Sequence, residues 1–151
     1  MKTHRFFGIA SIFLSLQLTA LYVNAPAIMP VVAYAKVSGA KQGRFNGSAT
    51  APGFEGQVAL VNVEYDEAAG KKSKLIVEKY PDASSNQFQA ALLKNEILSR
   101  DDINMIKFEK GIPKTYQTYT LTGATVSSID FENNVEKITF KFEAINIQVI
   151  N

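Results

Sequence analysis

A mainly β fold, an antiparallel β-barrel or sandwich with one flanking α-helix, is what this 151-residue chain predicts. Three observations predict it. Several runs place apolar residues at every second position, the strongest between Thr125 and Phe142, which is the period of half-buried strands. A single stretch, from Ser84 to Leu98, carries helical spacing behind a start signal. The strands also follow one another without the βαβ alternation that a parallel sheet requires. No internal repeat or low-complexity tract divides the chain, so one domain suffices.

The N-terminal segment reads as a leader. Lys2 and Arg5 precede the apolar run Phe6 to Val23, and Ala33-Tyr34-Ala35 puts small residues at both positions of an A-x-A site. This describes a secretory signal peptide over 1–35, cut between Ala35 and Lys36. The rival reading is an uncleaved anchor, because a run of about 18 apolar residues just spans a bilayer. Pro26 and Pro30 end a helix before the cut. Residues 36–46, with Gly, Ser and Lys and no periodicity, read as a flexible N-terminal arm, and 47–151 as the folded domain.

Within that domain, Gln57 to Tyr65 is the first strand, with Val61, Val63 and Tyr65 on one face and Val58 and Leu60 on the other. Apolar residues on both faces imply burial on both sides, or one core face and one subunit contact. Leu75 to Lys79 is the next strand. Ser84 with Gln87 makes a capping-box pattern, and Phe88, Ala91 and Leu92 recur at helical spacing beside a second apolar line of Leu93 and Ile97. Ser99 to Asp102 ends the helix as a loop. Ile103 to Glu109 is a strand, Gly111-Ile112-Pro113 a turn, and Thr115 to Thr122 another strand. Thr125 to Phe142 reads as a hairpin whose Asn133-Asn134 suits a type I′ turn. Ile138, Phe140 and Phe142 stand at even positions, but Ile145, Ile147 and Val149 stand at odd ones. A bulge near Glu143-Ala144 would bring both sets to one face.

Composition then removes whole classes of chemistry. Taking Lys2 and Arg5 from the 16 basic residues leaves 14, against 14 acidic ones, so the mature domain is formally neutral. Such a domain carries no electrostatic footprint for nucleic acid, and the Lys71-Lys72-Ser73-Lys74 cluster reads as a solvated turn. The chain has no Cys, and its one histidine, His4, lies in the leader. Ser-His-Asp and Cys-His catalysis and zinc sites built on His or thiolate are thereby excluded. The carboxylate pairs Asp66-Glu67 and Asp101-Asp102 are what remains for a hydrolase or a calcium site, and both sit in turn-like contexts without the oxygen spacing of a calcium loop. No catalytic residue, cofactor or metal is assigned. About 116 residues after the leader can support a core without disulfides.

Three blocks in order resemble the Hcp family, the tube protein of bacterial type VI secretion. Tyr119 to Gln148 resembles that family's closing strands, which tend to run Y-T-(I/L)-x-L-x-x-A-x-V-S-S-I and then E-x-(V/I)-x-F-x-(Y/F)-E-x-I. Gly47-Ser48-Ala49-Thr50, Gly53-Phe54-Glu55-Gly56 and Val58 to Tyr65 look like its opening G-E-S-x-x-x-G-H-E-G-W-I-E-V-x-S-F. Leu75 to Lys79 followed by Ser84 to Leu98 is similar to its strand and single helix. Phe54 stands where the family usually has His, and Gln57 where it usually has Trp. The resemblance implies a β-barrel with a flanking helix and a hexameric ring that stacks into a tube, is expelled by a contractile sheath and carries small effectors. Asp66, Glu67, Ala68, Ala69, Gly70, Lys71 and Lys72 are the candidate ring-stacking loop it implies, shorter than the excursion many members extend to a neighbouring ring.

The function expected is therefore a structural, ring-forming tube protein without enzymatic activity. Its partners are copies of itself, with other secretion components or effectors, and neither nucleic acid nor a membrane once the leader is gone. Family members normally leave through the machine itself, so the leader marks this one as an exported variant, secreted or periplasmic. A translation start at Met29 would instead remove most of the apolar run and leave the protein cytoplasmic before export. The other class of reading is a secreted β-barrel binding module for a glycan, peptide or lipid, using Tyr116, Thr118 and Tyr119.

Overall fold

A computed structural model describes residues 28–67 and 73–151. Among these residues ten strands and one helix follow in the order β1 (Ala33–Gly39), β2 (Gly43–Arg44), β3 (Val58–Leu60), β4 (Asn62–Asp66), β5 (Lys74–Lys79), α1 (Ser85–Lys94), β6 (Leu98–Glu109), β7 (Ile112–Thr122), β8 (Thr125–Glu132), β9 (Val135–Lys141) and β10 (Ala144–Val149). One sheet runs β10-β7-β6-β1-β2, with β3 also on β1; the other runs β4-β5-β9-β8. All the pairings are antiparallel.

Three short stretches of chain cross from one sheet to the other and make the sandwich barrel-like, one of them Phe142-Glu143 between β9 and β10. β3 pairs with β1, the backbone breaks at Val61, and β4 then pairs with β5. β7 lies between β6 and β10, and after Gly123-Ala124 the chain continues as β8 against β9. The core between the sheets contains Val37, Phe45, Leu60, Leu75, Val77, Phe88, Ile103, Ile138 and Phe140. The break at Val61 also explains the two apolar faces of Gln57 to Tyr65. Val58 and Leu60 enter the core from one sheet, and Val63 and Tyr65 pack on it from the other. Neither set is left over for a subunit contact.

Most expected strands are present, and several boundaries change: β7 already starts at Ile112, inside the expected turn, and the helix ends at Lys94. The flexible arm over 36–46 is instead most of β1 and all of β2, with Val37 and Phe45 in the core. The Ala35–Lys36 bond lies inside β1, which is hydrogen-bonded to β3 on one side and β6 on the other. A cut there would strip Ala33 and Ala35, both buried in the core, from a central strand. Residues 1–27, with the rest of the leader, lie outside the described residues. Ser99 to Asp102 is strand rather than loop, because β6 begins at Leu98 and pairs with β1 from Gly39 onward.

The helix starts where expected, with Ser84 as N-cap, but the capping box is not made. Ser84 Oγ donates to Asp82 Oδ1 instead, and Gln87 turns away to accept from the Asn46 N–H and donate to the Arg44 carbonyl. Phe88 and Ala91 face the core, whereas Leu93 and Ile97 are exposed. The Asn133-Asn134 turn is as expected: both residues have positive φ, 53° and 64°, and Glu132 pairs with Val135.

The bend after β9 has a different cause from the expected bulge. Lys141 pairs with Thr125 and Ala144 with Thr122, so Phe142 and Glu143 lie opposite Gly123 and Ala124 with no extra residue on either strand. Both strands break together, and Gly123 takes a φ of 63° as they turn. The register shift that does occur lies between Val126 and Ser128.

Candidate functional site

The acidic pairs are the sequence's remaining candidates for chemistry, and the fold separates one of them. Asp101 and Asp102 are successive residues of β6, so their side chains leave opposite faces of the sheet. Asp101 is buried, and Asp102 accepts a 2.7 Å hydrogen bond from Arg100 Nε on the outer face. Two carboxyls separated by a sheet cannot share a substrate. Asp66 and Glu67 end β4 and its following residue; Ala68, Ala69, Gly70, Lys71 and Lys72 of the candidate ring-stacking loop lie outside the described residues. The loop leaves and re-enters the sheet between Asp66 and Lys74, whose other neighbour is Lys141. Among the described residues no group of three or more His, Cys, Asp or Glu could hold a metal ion, and no helix is long and apolar enough to cross a membrane.

The expected Tyr- and Thr-rich face does not form one surface. Tyr119 packs against the core and faces Tyr65, with ring centroids 6.5 Å apart. Thr118, its neighbour, points the other way and donates from Oγ1 to Asn104 Oδ1 at 3.0 Å. Tyr116 sits at a shift in the β6–β7 register between Met105 and Ile106.

What the fold does present is an unpaired strand. β10 is bonded to β7 on one side, and among the described residues nothing pairs with its other side. Its apolar side chains stay uncovered: Ile147 is 41% and Val149 66% exposed, and Ile150 follows at 47%. Leu93 in α1 with Ile97 after it, Phe108 and Ile112 flanking the β6–β7 turn, and Phe131 are also exposed. At that turn Lys114 and Lys107 hold the Glu109 carboxyl, at 2.8 and 3.4 Å, and their hydrogen bonds and charge lower its pKa.

Two buried polar clusters brace the sheets. Lys79 is fully buried, and its Nζ lies 2.8 Å from Glu136 Oε2, 2.9 Å from Asp82 Oδ1 and 3.1 Å from Ser85 Oγ. Lys79 and Glu136 are register partners on β5 and β9. Alternation could have found both, since Lys79 continues the inward line of Leu75 and Val77, and Glu136 that of Ile138 and Phe140. The second cluster is the turn after β1, where Glu96 Oε2 accepts from the Lys41 and Gln42 N–H groups at 3.1 and 3.0 Å. The Gln42 N–H foremost holds the Glu96 carboxyl below the usual range. No local pattern in the sequence announces that long-range clasp.

A protein family described as "Type VI secretion system effector, Hcp" matches residues 34–149, a span that takes in nearly all of β1 and every later strand. No curated protein matches the chain. Among solved structures it is similar to the secreted protein Hcp3 from Pseudomonas aeruginosa, at 20% identity and a TM-score of 0.66, covering 79% of this chain and 99% of that one. It is similar too to the Hcp1 protein from the E. coli EAEC 042 pathovar, with 17% identity, a TM-score of 0.66 and coverage of 80% and 99%. Hcp2 from Salmonella typhimurium is a third, with 14% identity, a TM-score of 0.64 and coverage of 80% and 86%.

Proposed function

This chain belongs to the Hcp family of type VI secretion, and from that premise we propose that it works as a hexameric ring of the secretion tube. Its work is structural, by surface complementarity rather than by reactive groups. The observation that carries the reading is the open side of β10, with Ile147, Val149 and Ile150 uncovered in the single chain. An unpaired strand edge beside exposed apolar side chains is a place for another chain to join, and a head-to-tail contact of that kind closes into a ring when its rotation allows. Native mass spectrometry with light scattering on the purified protein tests this. A hexamer is expected, and Val149→Asp should shift it toward monomer while leaving the melting temperature of the monomer unchanged. A monomer at every concentration would overturn the ring.

Export through a leader fits the N-terminal charge pattern, with the cut placed before β1. The Val32 N–H donates to the Leu60 carbonyl and the Met29 N–H to the Tyr80 hydroxyl, both at 2.8 Å, so the chain joins the fold from Met29 onward. Ala25-Pro26-Ala27 supplies a second A-x-A site upstream of those contacts. The mass of the native protein should give an N-terminus at Ile28. A start at Met29 would point to internal initiation instead, and one at Lys36 would contradict the placement of β1.

A further inference from the structure

Asp101 sits where the fold gives a carboxylate nothing. It is 1% exposed, and neither carboxyl oxygen has a hydrogen-bond partner. It stands opposite Val37 on β1, one pair before the register shift at Ser38/Gly39. Past that shift the sheet ends in a corner built from three pieces. The turn after β1 is clasped by Glu96, the Ala40 N–H donates to the Ile97 carbonyl, and the Leu98 N–H donates to the Ala124 carbonyl. The Phe45 N–H closes the corner on the Val37 carbonyl at 2.9 Å.

We propose that Asp101 makes this corner a pH-dependent latch, closed while its carboxyl is neutral and loosened when it ionises. A buried, unpartnered carboxylate is far costlier than the neutral acid, and local opening that lets water reach it is the cheapest relief. Among the described residues no neighbouring element brings a counter-charge to it: Lys41 of the turn and Lys94 of α1 are exposed, and the charge of Lys94 acts on Glu96. On β1, Lys36 belongs to the opposite face from Val37; Arg44 of β2 donates to the Glu55 carbonyl; Arg100 is taken by Asp102. The segments of β7 and β8 nearest the corner, Thr120 to Val126, carry no charged residue. Glu143 lies beside Gly123, and Glu96 is an anion itself. Burial, with the Asp102 charge adding to it, raises the Asp101 carboxyl well above its ordinary range.

The sign follows from linkage. With the folded value raised, the folded state holds a proton that the unfolded chain, near pH 4, has already released. Stability from this group is complete below about pH 4 and falls as pH rises toward the folded value. Glu96 acts oppositely: its lowered value keeps the clasp until pH falls through it. The corner is tightest in mild acid.

Denaturant unfolding of the whole protein from pH 4.5 to 9, with hydrogen exchange at the Ala40, Phe45 and Leu98 amides, tests the latch. Wild type should lose stability as pH rises, with its corner opening growing by up to about tenfold per pH unit in the titration window. Asp101→Asn should be flat there and exchange more slowly than wild type at pH 8. Asp101→Leu, which is apolar, should behave the same way if the amide variant folds poorly. Parallel pH profiles for wild type and both variants would overturn the latch. So would a loss of stability in both variants at pH 8, since the carboxylate would then be stabilising the fold.

Discussion

Lys79→Ala is expected to destabilise the folded domain by about 3–5 kcal/mol, because it removes one side of a buried charge cluster and leaves the other side in place. Lys79 Nζ is the only cation within salt-bridge distance of Asp82 and Glu136 among the described residues. Without it two carboxylates face each other's charge at the junction of β5, β9 and the start of α1. The ring of Phe88, whose centroid lies 5.9 Å from Nζ, would lose its cation as well. Such a loss is a large share of the roughly 5–15 kcal/mol that holds a domain of this size together. Equilibrium unfolding in guanidinium measures it. The cluster as a whole is a different matter. Exchanging Lys79, Asp82 and Glu136 together for Met, Asn and Leu should recover most of the loss, since apolar packing often replaces a buried ion pair at little cost. If Lys79→Ala alone changes stability by under about 1 kcal/mol, the cluster is solvated in the way exposed pairs are.

Gly47→Ala should cost about 3 kcal/mol, the upper end of what overpacking does. A Cβ at position 47 would overlap the Gln57 carbonyl and the Val58 nitrogen, which are backbone atoms and cannot swing aside. The reason for the close approach is a narrow pair of strand-like segments. The Gly47 N–H donates to the Gly56 carbonyl at 3.0 Å, and the Ala49 N–H to the Gln57 carbonyl at 3.1 Å. That pair lays Ala49 and Phe54 on the outer face of β1, where the Phe54 ring stacks on Tyr34 with centroids 4.6 Å apart. Losing the approach therefore uncovers a second, small core. Calorimetry with Ser48→Ala as a control separates the effect, since Ser48 is exposed and its substitution should be neutral. Equal melting temperatures for the two variants would show that the segment moves freely.

The hairpin through Asn133-Asn134 was legible because one face of each strand is buried and the turn residues must take positive φ, so pattern and chemistry agree. β5 was legible for the same reason. β1 was not. Its Ala33, Tyr34 and Ala35 are small or apolar because a central strand is packed on both sides, and small residues after an apolar run are also what a peptidase site looks like. The face assignment of Val58 to Tyr65 failed at a kink, which reverses alternation without leaving a Gly or Pro to mark it. Asp101 resembles loop in sequence because Asp is rare in strands, although its spacing from Ile103 puts it on the inward line. For the candidate assembly surface, composition could name apolar positions such as Ile147 and Val149. It could not say which of them lack a covering strand, because coverage depends on partners far away in sequence.

The pairing of β1 with β6 has a consequence for timing. Ala33 meets Met105 and Gly39 meets Leu98, so β1 waits for roughly 60 to 70 residues of later chain before its β6 side can close. During synthesis, β1 can therefore pair only with β2 and β3 until β6 emerges. Until then the sheet that ends in β10 cannot close, because β1 reaches β10 only through β6 and β7.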